Sequence, residues 1–230
     1  MWLQRRNEIM AINRRKYADY KEYIQHQKEK TLDPARRERL TSEELYNYRV
    51  NAFIEKFVRF TNNVPCQQYS VPKIGRWTKS PYMDVLKKGS SALCLGARMG
   101  EEVLGLKELG IEATGLDLVP YPPLVLEGDF HDIPFGNNSF DFIYTNSLDH
   151  GFDLEKIFVE VTRVLKPSGF LFIDFAPNTF GKYESIQIEA EKDIINKVPS
   201  DLIFMESQKF LGTGSPKPGL VQELYFTKAV

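Results

Sequence analysis

Residues Ser91 to Glu102, SALCLGARMGEE, constrain the fold more than any other stretch of this chain. Ala92 to Leu95 is a short apolar run that reads as a buried strand. It stops at Gly96, and Gly100 follows four residues later. Glu101-Glu102-Val103-Leu104 then opens a helical pattern that closes near Gly110. Strand, glycine turn and helix form the opening of a nucleotide-type site in α/β proteins. Glycines in such a turn let backbone approach a ligand that a Cβ would block.

From this stretch onward strands and helices alternate. Strands are predicted at 112–116, 124–127, 140–145 and 170–175, and helices at 153–166 and 184–197. Two last strands, 202–207 and 220–227, flank the loop 212–219, so that pair is expected to be antiparallel. The part before residue 80 reads as helical. A helix covers 1–30, Asp33-Pro34 starts a second, and the capping box Thr41-Ser42-Glu43-Glu44 starts a third that runs to Phe60. Residues 64–81 read as loop with Trp77 as an anchor, and Tyr82 to Lys88 as a short helix. The expected organisation is a helical extension over 1–80 that covers an acceptor site, and an α/β sheet domain over 81–230.

The 230 residues are 42% hydrophobic with a net charge of −1, enough for a sizeable core. Two cysteines, Cys66 and Cys94, are too few for a disulfide scaffold and lack zinc spacing. No signal-peptide core opens the chain and no 18-residue apolar run exists, so no membrane span is expected and a reducing cytoplasm is. Residues 1–60 carry a net +5 and the remainder −6. A basic arm leaves nucleic acid open as a partner, although its interleaved acids read as a solvated helical face.

Open α/β sheets bind ligands beyond the carboxyl ends of their strands. Gly96, Ala97, Arg98 and Gly100 follow the first strand. Asp117, with Leu118, ends the second, where a carboxylate suits a ribose diol. Asp129, Phe130 and His131 follow the third, where an acid beside a ring suits an adenine. Asn146, Ser147, Asp149 and His150 follow the fourth.

The runs CLGARMG (94–100), TGLDLV (114–119), EGDFHDIPFGNNSFDFIYTNSLDH (127–150) and RVLKPSGFLFID (163–174) resemble the class I S-adenosylmethionine-dependent methyltransferases of the type 11 kind. The resemblance covers about residues 80–230. It implies a Rossmann-like sheet of about seven strands, the last antiparallel, and bound S-adenosylmethionine, with S-adenosylhomocysteine as product. It implies Gly96 and Gly100 beside the methionine part, Asp117 on the ribose, and Asp129 with Phe130 at the adenine. Three departures stand out. Cys94 replaces the family's usual acid, Arg98 its usual third glycine, and Leu118 to Pro123 is too short and too proline-rich for a crossover helix.

Methyl transfer to a hydroxyl needs a proton acceptor. His150 is the expected one, with Asp149 as its partner or as the base itself. Asp149 and His150 with Asp129 or Asp174 offer a divalent-metal alternative, which is not favoured. Aromatic residues of the extension and the loop at 176–183 (Tyr17, Tyr20, Tyr23, Tyr46, Tyr48, Trp77, Tyr82, Phe180, Tyr183) suit a saccharide or another polyhydroxylated acceptor. The expected reaction is O-methylation of a glycan or small-molecule hydroxyl. An RNA or nucleotide methyltransferase and a non-catalytic cofactor-binding protein are the other readings. Oligomeric state is not legible.

Overall fold

The computed structural model describes residues 17, 19–62, 88–179, 181, 183–212 and 219–230. The expectations for 1–16, for Trp77, for the short helix at 82–88 (all but its last residue), for Cys66 and for Phe180 lie outside them.

Seven strands form one sheet: β1 (Ser91–Leu95), β2 (Glu112–Asp117), β3 (Val125–Glu127), β4 (Phe140–Thr145), β5 (Leu165–Phe175), β6 (Leu202–Gly212) and β7 (Gly219–Lys228). Their order is β3-β2-β1-β4-β5-β7-β6. The first five run parallel, and β7 is antiparallel to both β5 and β6. Chain order reverses beside β1, which pairs with β2 on one side and β4 on the other. Leu95 is level with both Leu116 and Thr145. The residues that follow these three strand ends therefore emerge side by side.

Alternation along the strands builds two cores. Leu93, Leu95 and Ile143 face Ile157, Phe158 and Val161 of α5 (Leu154–Val164). Ala92, Cys94, Phe142 and Tyr144 face α4 (Glu101–Glu108) and α3 (Glu43–Asn62). Phe53 and Phe57 of α3 lie edge-on to Tyr144 and Phe142, with centroids 5.0 and 5.3 Å apart. The third helix of the extension thus forms part of the sheet's own core. Burial pushes the Cys94 thiol up, which fits a small core residue and not a reactive one.

Several boundaries differ from expectation for local reasons. Asp33 caps α2 (Pro34–Thr41) as predicted, accepting from the Arg36 amide at 2.7 Å. The capping box before α3 is not formed that way: the Ser42 hydroxyl donates back to the Arg39 carbonyl at 3.2 Å. The α5 helix passes directly into β5 at Leu165, which pairs with Phe140. Of the helix expected over 184–197 only α6 (Glu191–Ile195) forms. The preceding segment uses its amides on another element: Ser185 and Ile186 both donate to the Asp149 carbonyl, at 2.7 and 3.0 Å. The short link between β2 and β3 contains no helix, and Tyr121 folds back to bridge Val125.

One helix remains, α1 (Tyr20–Leu32), capped by Asp19. Its buried residues Tyr23, Gln27 and Lys30 follow a seven-residue stripe, which packs over the carboxyl end of the sheet.

Candidate active site

The turn after β1 takes its shape from backbone pairing. The Gly96 and Ala97 amides both donate to the Leu116 carbonyl, and the Gly100 amide to the Ala97 carbonyl. Gly96 has φ 68°, and a Cβ there would lie 2.6 Å from that of Ser147. Gly100 has φ 80°, and its added Cβ would lie 2.8 Å from that of Leu124. Both glycines are thus required by close packing within the protein, not only by room for a ligand. Arg98 stands at φ 45°, in the left-handed region that favours glycine. Holding it there costs on the order of 1 kcal/mol.

Asp117 secures that conformation. Its Oδ2 accepts from the Arg98 amide at 2.9 Å and its Oδ1 from the Val119 amide at 3.1 Å. Burial raises its proton affinity, partly offset by these two amides. Each oxygen keeps a lone pair for a further donor. Asn146 donates to Glu102 Oε1 at 3.2 Å, and Ser147 donates to Asn146 Oδ1 at 3.0 Å. Burial raises Glu102, and among the described residues its buried Oε2 has no partner. Burial works against the Arg98 charge, but Glu102, Glu101, Tyr144 and Asp117 outweigh it and hold the guanidinium above its usual value. A carboxylate at Glu102 thus stands close to the turn where Cys94 cannot supply one.

These groups open on a cavity of about 150 Å³. Of the residues expected to bind a cofactor, Gly96, Arg98, Asp117, Leu118, Phe130, Asn146 and Ser147 line it, as does His150. Ala97 and Gly100 are buried beside it, in the packing of the turn. Asp129 and His131 point elsewhere. Asp129 Oδ2 accepts from the Tyr20 hydroxyl, and Oδ1 from the His131 amide at 2.8 Å. The His131 ring, fully buried, lies 2.6 Å from Asp129 Oδ1, and its Nε2 accepts from the Phe152 and Asp153 amides. The acid expected at an adenine is instead engaged by α1.

The stripe of α1 forms the opposite wall. Tyr23, Gln27, Lys30 and Thr31 line the cavity, joined by Arg36 and Leu40 of α2. Among the described residues the Tyr23 hydroxyl is buried with no partner, and burial and then Asp117 push it up. The Lys30 Nζ lies 3.0 Å from His150 Nε2. His150 Nδ1 lies 3.0 Å from the Tyr183 carbonyl, which can only accept, so Nδ1 carries the hydrogen and Nε2 the lone pair. Burial, then Lys30, lowers His150 to about 4. Burial, then Glu184, raises Asp149 to about 6. Asp149 Oδ1 lies 4.0 Å from His150 Nε2.

The metal alternative changes composition. Asp129 is engaged by Tyr20, and Asp174 by Lys56 and Tyr144. Glu184 takes their place: its ligand atom and those of Asp149 and His150 lie within 4.8 Å of one another. The Lys30 ammonium already stands at His150 Nε2, so a cation there would face like-charge repulsion.

The His150 geometry makes a stability prediction. The unfolded imidazole takes a proton near 6.5, the folded one only near 4, so the unfolded state binds more protons between those values. Stability contributed by neutral His150 is present above pH 6.5 and lost as pH falls toward 4. Against His150→Gln, the native chain should lose roughly 2 kcal/mol across that window in urea unfolding. Asp149 runs the other way over part of it but is common to both proteins. A pH-independent difference would exclude this environment for the ring.

Residues 93–173 match the family model described as "Methyltransferase domain". Those residues thus form a methyltransferase domain, with the fold of the class I S-adenosylmethionine-dependent enzymes. It is 44% identical over 52 residues, 22% of its length, to a glycine/sarcosine/dimethylglycine N-methyltransferase of Actinopolyspora halophila. It is 31% identical over 113 residues, 48% of its length, to a sterol 24-C-methyltransferase of Gibberella zeae. The chain spans only 9% and 26% of those relatives. The PH0226 protein of Pyrococcus horikoshii shares the fold at TM-score 0.56 and 16% identity, over 82% of this chain and 93% of that one.

The cofactor of such domains is S-adenosylmethionine, and the residues here fit it at one end of the cavity. Asp117 has lone pairs for a diol, Tyr23 an unpartnered hydroxyl, Phe130 a ring, and Gly96 no side chain in the way. The space left under α1 is about 150 Å³, room for one ring. That is below the roughly 300 Å³ at the small end of ligand pockets.

Proposed function

We propose that this chain transfers a methyl group from S-adenosylmethionine to a nitrogen or oxygen of a small polar acceptor held under α1, next to His150. The observation that carries this is convergence: the ends of β1, β2 and β4 bring Gly96, Asp117, Ser147 and His150 to one cavity. When bound, the cofactor supplies an electrophilic methyl on a sulfonium; its carbon–sulfur bond breaks as the bond to the acceptor forms, and the acceptor's proton leaves. Asp117 holds the donor in place. His150, unprotonated at neutral pH and fixed by the Tyr183 carbonyl, offers Nε2 to that proton, with Asp149 beside it. Enclosure by α1 excludes water and orients both partners.

O-methylation of a saccharide remains a special case of this reading, with less behind it than the residue types promised. Tyr17 and Tyr23 are packed away at 5% and 0% exposure, and among the described residues the ring left beside the cavity cations is Tyr183. The relatives named above act on amino acids and on sterols and so select no acceptor. Among the described cations of the basic segment, Lys28, Arg49 and Lys56 sit on Glu127, Glu101 and Asp174, and Lys30 is buried, so these four are not offered to RNA.

Calorimetry with S-adenosylhomocysteine tests the first half, with one site per chain expected; no binding would favour a non-catalytic protein. A panel of small amines, hydroxy acids and sugars then finds the acceptor. With it, His150→Ala should keep product binding within about twofold and lose at least about tenfold in turnover. Unchanged turnover would remove His150 as the proton acceptor.

A further inference from the structure

Three cations meet at one end of the cavity with few anions to answer them. Lys30, Arg36 and Arg98 all line it. The Lys30 Nζ and the Arg36 Cζ each stand 5.0 Å from the centroid of the Tyr183 ring, so both charges border one small space. Among the described residues neither has a carboxylate oxygen within 4.0 Å. Among the described carboxylates Arg98 reaches Glu102, at 4.0 Å. Asp117, the acid that lines the cavity, already has each oxygen on a backbone amide. The cations repel one another: burial and then Arg36 lower Lys30 to about 7 against the weaker pull of Asp149 and Glu184, and burial and then Arg98 lower Arg36 against the Tyr183 hydroxyl. An exposed lysine would turn to water, but Lys30 is 8% exposed and packed under α1. Buried charge is retained where a partner answers it.

The geometry points to an oxyanion site between Lys30 and Arg36, filled by a carboxylate or phosphate carried by the methyl acceptor. The planar fork of Arg36 suits two oxygens at once, and the Lys30 ammonium adds a point charge. An acidic small molecule, such as a hydroxy acid, an amino acid or a sugar acid, meets this chemistry, and a neutral sugar or a sterol does not. An anion there also draws the Lys30 ammonium off His150 Nε2, which frees the lone pair used in the proposed transfer. The inference rests on the transferase reading in one respect, that the anion belongs to the acceptor and not to the cofactor.

The test uses the full chain saturated with S-adenosylhomocysteine, titrated calorimetrically with inorganic phosphate and with glycolate at constant ionic strength in chloride. At least one is expected to bind where chloride does not. Arg36→Gln should weaken it by about tenfold, and Arg36→Lys by less, because the charge remains without the fork. Product binding should change by less than about threefold in both variants. Arg36 is half-buried at the cavity rim, and thermal melting checks that both variants fold. Absence of anion binding, or binding unaffected by Arg36→Gln, overturns the site. If Arg36→Gln weakens S-adenosylhomocysteine but not 5′-methylthioadenosine, which lacks the carboxylate, the anion is the cofactor's and the acceptor assignment falls. If S-adenosylhomocysteine itself fails to bind, the transferase reading falls, and phosphate binding to the chain alone decides whether the anion site stands.

Discussion

Asp117→Ala is expected to lower affinity for S-adenosylhomocysteine by about 100-fold and to destabilise the fold by about 3 kcal/mol. The two effects have one origin. The side chain ties the left-handed Arg98 and the start of the β2–β3 link to the end of β2, through amides at 2.9 and 3.1 Å. Its removal leaves two backbone donors unanswered in a site where Asp117 is 9% exposed, at about 1–3 kcal/mol for each buried donor left unpaired. It also removes the acceptor proposed for the ribose, and it frees the turn whose shape places Gly96 at the cavity. Asp117→Asn separates the contributions, because it keeps one acceptor oxygen and most of the packing. It should fall between native and alanine in urea unfolding, yet stay close to alanine in calorimetry. A folded Asp117→Ala that still binds product within about threefold of native would end the assignment of this carboxylate to the cofactor.

The second large effect lies on the opposite side of the sheet from α5. Asp174 is 4% exposed and accepts from the Tyr144 hydroxyl at 2.8 Å and from the Lys56 ammonium of α3. Its Oδ1 is buried and has no partner among the described residues. Lys56→Met leaves this carboxylate with one neutral donor and should cost about 3 kcal/mol, toward the low end for a broken buried pair, because Lys56 is 27% exposed. Adding Asp174→Asn to Lys56→Met removes the stranded charge and should recover about half of the loss. The four proteins form a double-mutant cycle in urea unfolding, and additivity within about 0.5 kcal/mol would show that the pair is not coupled.

Legibility followed the range of the forces involved. The strands over 112–117 and 140–145 and the start of α5 at Asp153 were readable because apolar alternation and capping are local. So was the juxtaposition of Gly96, Asp117 and Ser147, since consecutive parallel strands place their ends side by side. Arg98 was legible as a departure, and the structure shows that it adopts the backbone a glycine would. The residues 184–190 misled for a related reason. Their composition allows helix, but their amides answer the Asp149 carbonyl, a contact no local pattern records.

The chain's own sequence determined the α/β order, the antiparallel last strands and the polar strand ends, because hydrophobic period and turn chemistry act over a few residues. Tertiary structure alone decided which polar groups meet. Tyr20 captures Asp129 from 109 positions away, and Lys30 reaches His150 across 120. Those pairings depend on where α1 lies across the sheet, and a periodicity that marks Tyr23 as apolar cannot show that Gln27 and Lys30 beside it are buried too. The environment of the cavity, and with it the chemistry proposed, was set by that helix.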